Sequence, residues 1–391
     1  MRYDDVFAII NRKLRADRVN LPNLEDFQMR GIPSLITDIR KKVFTEVARM
    51  AYNGDDYTKA EDLPYIIVPG DQPLHRESVF LERAIAGERV RLAMGLSVRS
   101  VQTRSLLTEG MDHAAIAQQY YEPPLINIIP YACHACPTNQ YKVTENCQNC
   151  LAASCQQVCP RDAISFVNGK SFIDPGKCIK CGKCAQACDY NAIIHLERPC
   201  QAACGMDAIG MDENGKALIN QDKCVSCGQC LVSCPFGAIV DKGQIYQVVR
   251  SIMEGDEVYA IAAPAFASQF GKNVTVGRLR AAIQALGFKD MVEVAVGADI
   301  CTVEEARDFV EKVPAEQPYM ATSCCPAWHA MVHKLFPAQA KNISMTLTPM
   351  VYTARMVKKD HPGAKIVFVG PCAAKKLEAI RENIRSDVDF V

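Results

Sequence analysis

The sequence predicts a multidomain protein of mixed α+β and α/β class, and three observations carry that prediction. Residues 1–120 contain no cysteine and repeat apolar residues at helical spacing. Sixteen of the 20 cysteines then crowd between Cys133 and Cys234, and from Asp256 onward short apolar runs alternate with helical stretches. The expected boundaries are 1–120 for a helical N-terminal region, 121–245 for a cysteine-built segment and 246–391 for an α/β domain.

A chain of 391 residues is long enough for two or three domains. With 49% hydrophobic and 23% charged residues it falls outside the disordered and collagen-like classes. Forty-four basic residues balance 44 acidic ones, which removes the electrostatic reason to expect nucleic acid or an anionic membrane as the main partner. No apolar run approaches the roughly 20 residues of a membrane span. The opening MRYDDVFAII has two acids and no apolar leader core, so the chain reads as soluble, unexported and cytoplasmic.

In the first region, Pro33 to Tyr52 places Leu35, Ile36, Ile39, Val43, Val47 and Met50 at helical spacing and stops at Asn53-Gly54. Ser78 to Leu96 predicts a second helix with its arginines and glutamates on the outer face. Periodicity of this kind specifies packing and no chemistry, so the region reads as a helical cap or docking layer.

The second region is dominated by cysteine spacing. Runs of C-x-x-C in a leaderless chain of this size favour metal in a reducing compartment over disulfides. Cys178-x2-Cys181-x2-Cys184-x3-Cys188 and Cys224-x2-Cys227-x2-Cys230-x3-Cys234-Pro235 each match the bacterial ferredoxin run, whose fourth cysteine ligates the other 4Fe-4S cube of a pair. Cys147-x2-Cys150-x4-Cys155-x3-Cys159 is a loosened version. It pairs with the run at Cys178 to give one cube on Cys147, Cys150, Cys155 and Cys188 and another on Cys178, Cys181, Cys184 and Cys159.

Cys200-x3-Cys204 copies only the second half of the motif, and Cys133-x2-Cys136 supplies the missing half. A third cube then falls on Cys224, Cys227, Cys230 and Cys204 and a fourth on Cys133, Cys136, Cys200 and Cys234. This is one two-cube ferredoxin nested in another, and it uses all sixteen cysteines. The alternatives for Cys133 and Cys136 are a zinc knuckle or an idle pair, with His134 a loop residue. A row of such cubes carries electrons one at a time.

In the third region VYAIAAPAF, MVEVAV, PYMATS and KIVFVG predict buried, largely parallel strands. TVGRLRAAIQALGF, TVEEARDFVEKV, PAWHAMVHKLF and TPMVYTARMVKK predict the helices between them. DVDFV at residues 387–391 opens a further strand. TSCCPAW (Thr322 to Trp328) and GPCAAKKLE (Gly370 to Glu378) fall at strand-to-helix turns, where α/β folds place ligands.

Those two motifs, in order behind the ferredoxin runs, resemble the FeFe-hydrogenases over about residues 125–391. In that family the first motif is T-S-C-C-P-x-W and the second P-C-x-x-K-x-x-E. The resemblance implies interconversion of dihydrogen with protons and electrons, on an active-site cluster made of a 4Fe-4S cubane linked to a di-iron unit. It makes Cys325 and Cys372 cubane ligands and Cys324 the thiol that hands protons to the bridging amine of the di-iron half. Lys375 would hold a cyanide ligand, and Ala263 with Pro264 would line the pocket. Glu305, Asp308, Ser344 and Glu378 match the acids and serine of the family's proton path, with Asp308 one methylene short of the usual glutamate.

The sequence also departs from the family. Gly370 stands where a methionine often packs on the di-iron unit, and TLTPM (Thr346 to Met350) replaces a more polar segment. The family's third motif, a C-x-x-x-C that supplies the last two cubane ligands, is not in the sequence. The sequence therefore reads as a fragment of a longer enzyme, with a two-chain enzyme or a non-catalytic relative, a hydrogen sensor or an iron-sulfur assembly factor, as the alternatives. His329 and His333 lie four apart on a helix, as zinc ligands do, but read as a surface face. Cys301 reads as a small buried hydrophobe. No G-x-G-x-x-G follows a strand, so no nucleotide site is expected, and the redox partner should be a ferredoxin or another subunit.

Overall fold

The computed structural model describes residues 34–54, 56–114, 122–271, 273–381, 384 and 387–391. Expectations that fall on residues 1–33, Pro33 among them, lie outside the described residues. The first helix, α1 (Leu35–Tyr52), starts where the Ser34 hydroxyl accepts from Thr37 N at 3.3 Å and ends at Asn53, with Gly54 at φ 71° turning the chain away. Its stripe of Val43, Val47 and Met50 packs against Ala86 and Val90 of α2 (Val79–Ala93) and against Tyr246 and Val249 of α3 (Ile245–Glu254).

The outer-face expectation for α2 is wrong, because this helix lies between the N-terminal layer and the cysteine-rich segment. Glu88 is wholly buried and accepts from Arg99 Nε at 2.7 Å and Arg99 N at 2.9 Å. Arg89 donates to Gly237 O at 2.6 Å, and Arg91 to the carbonyls of Ser97 and Leu107. Charged side chains survive burial when each one finds a partner.

The middle segment contains four antiparallel pairs in a nested order. Strand β1 (Ile126–Ile128) pairs with β8 (Ile239–Asp241), and within that bracket β6 (Ile209–Met211) pairs with β7 (Ala217–Ile219). Between them β2 (Gln140–Val143) pairs with β5 (Ile193–Leu196), enclosing the hairpin β3 (Ile164–Val167) to β4 (Lys170–Ile173). One strand-hairpin-strand unit is thus inserted into another. Cys155 and Cys184 sit in the apolar core of the inner unit and Cys200, Cys230 and Cys234 in that of the outer.

The last region is a parallel sheet in the order β10 (Asp290–Glu293), β9 (Val258–Ala262), β11 (Lys365–Val369), flanked by α4 (Val276–Ala285), α5 (Val294–Lys312), α6 (Pro326–Leu335), α7 (Pro349–Asp360) and α8 (Ala374–Ala379). Phe390, 1% exposed, makes a single parallel bridge to Val367, which is the expected strand opening. Two expectations fail. MVEVAV is strand only to Glu293, and Val294 to Val296 already belong to α5, since a short apolar run does not distinguish strand from buried helix. PYMATS is no strand; only Ala321 bridges to Ile343.

Candidate metal centres and active-site pocket

The four cysteine runs share one backbone solution. The residue two after the first cysteine is left-handed in every run: Ala135 (φ 46°), Asn149 (50°), Lys180 (58°) and Ser226 (53°). The residue three after the last cysteine is left-handed as well: Asp162 (47°), Asn191 (48°), Asp207 (49°) and Gly237 (58°). These turns aim peptide N–H groups at sulfur. Lys180 N donates to Cys178 Sγ and Ser226 N to Cys224 Sγ, both at 3.4 Å. Ala163 N, Ala192 N and Ala208 N reach the sulfurs of Cys159, Cys188 and Cys204 at 3.3, 3.4 and 3.3 Å. Cys133 receives the N–H of Ala217 at 3.4 Å, so the split run at Cys133 and Cys204 behaves as the intact ones do.

Cys133, Cys136, Cys200 and Cys234 line one cavity, and Cys159, Cys178, Cys181 and Cys184 line another. Cys230 lies in the electrostatic reach of Cys224, Cys227 and Cys204. Cys147 and Cys155 converge on Ser171, whose N–H meets the first sulfur at 3.4 Å and whose hydroxyl lies 3.7 Å from the second. The β2–β5 pairing continues past Val143 to Thr144, whose N–H donates to Ala192 O at 2.7 Å.

Burial, with the neighbouring sulfurs behind it, pushes the Cys200 thiol up to about 11 and the Cys230 thiol up to about 12. Bare thiolates are therefore disfavoured in cages whose N–H donors are set to receive them. A cationic iron-sulfur core resolves that conflict, because a coordinated thiol is held deprotonated. The cages fit the group. Among the described residues no group of three His, Cys, Asp or Glu side chains stands ready for a single metal ion; Cys133 and Cys136 share their cavity with Cys200 and Cys234. The His329 and His333 rings stack at 4.3 Å, and burial together with Arg381 and His333 pushes His329 down to about 4.

The expected site residues Ala263, Pro264 and Cys372 of the last domain follow the carboxyl ends of its strands. Lys375, 9% exposed, donates to Glu378 Oε2 at 2.6 Å and to Cys324 O at 3.1 Å, and it approaches Thr348 Oγ1 at 3.4 Å. Thr348 donates to the other Glu378 oxygen at 2.5 Å, so both oxygens of this wholly buried carboxylate are taken. Cys325 caps α6, its Sγ 3.5 Å from Trp328 N, and both Cys324 and Cys325 are exposed. Cys372 is half-buried in the turn before α8, beside Ala373.

On the other side of Cys324, Thr346 links two expected path residues. Its hydroxyl donates to Asp308 Oδ2 at 3.4 Å, and its N–H to Ser344 Oγ at 3.2 Å. Asp308 also pairs with Lys312 at 3.1 Å. Glu305 is half-buried one turn after Cys301 on α5, and Cys301 feels the charges of Glu305, Cys324 and Lys375, with burial pushing its thiol up to about 11. Cys301 is buried as expected, and Thr346 and Thr348 lie in the expected TLTPM departure, but the polar contacts of the two threonines were not anticipated. No local signal marks them. Gly370 finds its explanation in Phe368: a Cβ at Gly370 would stand 2.6 Å from the Phe368 ring and 3.0 Å from Ala263 Cβ, so the ring occupies the space there. Pro264 begins the turn directly after Ala263.

Comparison with known proteins gives three family matches. Residues 256–391 match the iron only hydrogenase large subunit, C-terminal domain; residues 172–194 match a 4Fe-4S binding domain; residues 194–245 match the LdpA Fe-S cluster-binding domain. Iron hydrogenase 1 of Clostridium pasteurianum is 30% identical over 67% of this chain and 49% of its own length. The periplasmic Fe hydrogenase large subunit of Nitratidesulfovibrio vulgaris is 32% identical over 58% of this chain and 54% of its own. A probable cytosolic Fe-S cluster assembly factor of Aedes aegypti is 33% identical over 30% of this chain and 27% of its own. The chain spans about half the length of each of these two hydrogenases. Among the described residues no helix is long and apolar enough to cross a membrane.

Proposed function

The chain is FeFe-hydrogenase-like, an iron-sulfur protein with ferredoxin-type and hydrogenase-type regions, and from that premise we propose that it takes part in interconverting dihydrogen with protons and electrons. Four cubes on the sixteen cysteines of residues 133–234 relay the electrons to or from a ferredoxin-like partner. The observation that supports this best is Lys375, a buried cation aimed between two cysteine-bearing turns.

Cys325 and Cys372 would hold the active-site cluster, which when bound supplies the splitting and formation of dihydrogen. Lys375 directs one proton to Glu378 and one to Cys324 O; the third, weakly engaged at 3.4 Å, is the one that can turn to an anionic ligand. Glu378 acts by fixing that ammonium rather than by moving a proton. Cys324 Sγ holds the transferable proton and releases it toward Glu305, or toward Asp308 through the Thr346 hydroxyl, with Ser344 held beside that hydroxyl by the Thr346 N–H. Ala263 and Pro264 close the pocket wall against water.

Adjacent cysteines with different jobs give the test. In the protein matured with its di-iron unit and joined to the segment that completes the ligand set, Cys325→Ser should cost cluster assembly. Cys324→Ala should keep the cluster and lose about 10²- to 10⁴-fold in turnover, the usual worth of a proton relay, while Cys324→Asp keeps part of the rate. A cluster that assembles fully but turns over nothing in the parent protein would favour the non-catalytic reading, a sensor or an assembly factor.

A further inference from the structure

The two complete C-x-x-C-G-x-C loops of this chain share a backbone and differ in their surroundings. Lys180 and Ser226 occupy the same left-handed position, and Gly182 and Gly228 follow at φ 77° and 80°. In the second loop this geometry serves an interface. Val225, 4% exposed, packs with Ala327, Ala330 and Met331 on α6. Lys334 of that helix donates to the carbonyls of Asp222 and Cys224 at 2.6 and 2.8 Å. A Cβ at Gly228 would lie 3.3 Å from Ala373 Cβ, next to Cys372. One such loop therefore packs against another region of the same chain through the apolar side chain after its first cysteine, close to Cys372.

In the first loop Ile179 takes the place of Val225 and is 57% exposed. Lys180 and Lys183 take the places of Ser226 and Gln229, and exposed Lys177 and Arg161 flank them. Among the described residues none of these four cations is engaged in an ion pair. A second copy of the α6 face does not suit this loop, because its Lys334 would be brought up to a loop that carries Lys180 and Lys183 where the second loop carries serine and glutamine.

We propose that the Cys178–Cys184 loop is the docking surface for an acidic one-electron carrier protein, with Ile179 as the apolar anchor and Arg161, Lys177, Lys180 and Lys183 as the charge complement. The inference rests on reading the cysteine runs as electron-carrying cubes. One electron passes between the carrier and the cube on Cys159, Cys178, Cys181 and Cys184, the carrier being oxidised as the cube is reduced or the reverse, and no bond or proton moves. Steering by the lysines raises the association rate and makes it fall with salt.

The test mixes the full chain, its cubes reconstituted anaerobically, with a reduced two-cube ferredoxin of net negative charge in a stopped-flow instrument. The second-order rate constant should fall steeply with ionic strength. It should drop at least about tenfold in the Lys177→Glu, Lys183→Glu double variant and several-fold in Ile179→Ser. Iron content and reduction by dithionite should stay at the parent level. Unchanged ferredoxin rates in both variants, with dithionite still reducing the cubes, would overturn the docking surface and leave the cube reading standing. A parent protein whose cubes dithionite cannot reduce would overturn both.

Discussion

Ala135 is an alanine held at φ 46°, in a conformation that L-residues other than glycine seldom adopt. It matches Asn149, Lys180 and Ser226 at the same step of their runs, which ties Cys133 and Cys136 to the ferredoxin pattern rather than to an idle pair. The sequence shows this only through cysteine spacing, because the stereochemistry of a cube fixes where its ligands stand along the chain while the turns between them accept many residues. The prediction is numerical. Anaerobic reconstitution should load about 16 iron atoms, four per cube, and Cys200→Ser should lower the count to about 12 with the inner pair untouched. Iron assay together with electron paramagnetic resonance checks both numbers. Partner choice around Lys375 was illegible in contrast: Glu378 was expected among the proton carriers, and only the fold shows Thr348 and Lys375 taking both of its oxygens.

Helix α5 carries Glu305 and Asp308, and helix α7 follows directly on Thr346 and Thr348, so the angle at which the two pack sets the whole pocket flank. Gly297 makes that packing possible. A Cβ there would collide with Pro349 O and Thr353 Oγ1 of α7. In an isolated helix Gly→Ala stabilises by about 1 kcal/mol, but overpacking costs about 1–3 kcal/mol. Gly297→Ala should therefore lower the thermal midpoint of the C-terminal region, the reverse of what helix propensity alone gives, and calorimetry on the full chain reads the sign directly. The helices of this region were legible from their periodicity. The early start of α5 at Val294 and the loss of PYMATS as a strand were not, since short apolar runs fit either state and tertiary pairing decides.

At the scale of the molecule the three expected segments meet at Asp241. Lys376 from the α/β region donates to one oxygen at 2.6 Å, and Arg40 from α1 to the other at 3.1 Å. Burial works to raise this carboxyl, yet Lys376 and then Arg40 outweigh it and hold the group below the ordinary aspartate range. Partners 135 and 201 residues away along the chain leave no trace in local sequence. The junction sets the segment that ends in Cys234 against the turn that begins at Cys372, where a Cβ at Gly228 would lie 3.3 Å from Ala373 Cβ.

The proposed electron relay is what one measurement tests most directly. Protein matured with its di-iron unit and its completed ligand set is held anaerobically under dihydrogen while the visible absorbance of the cubes is followed. The cubes of residues 133–234 should bleach without any added mediator, and at least about a hundredfold more slowly in Cys324→Ala, the lower bound for loss of a proton relay. Cubes that stay oxidised under dihydrogen, yet bleach at once with dithionite, would contradict the account.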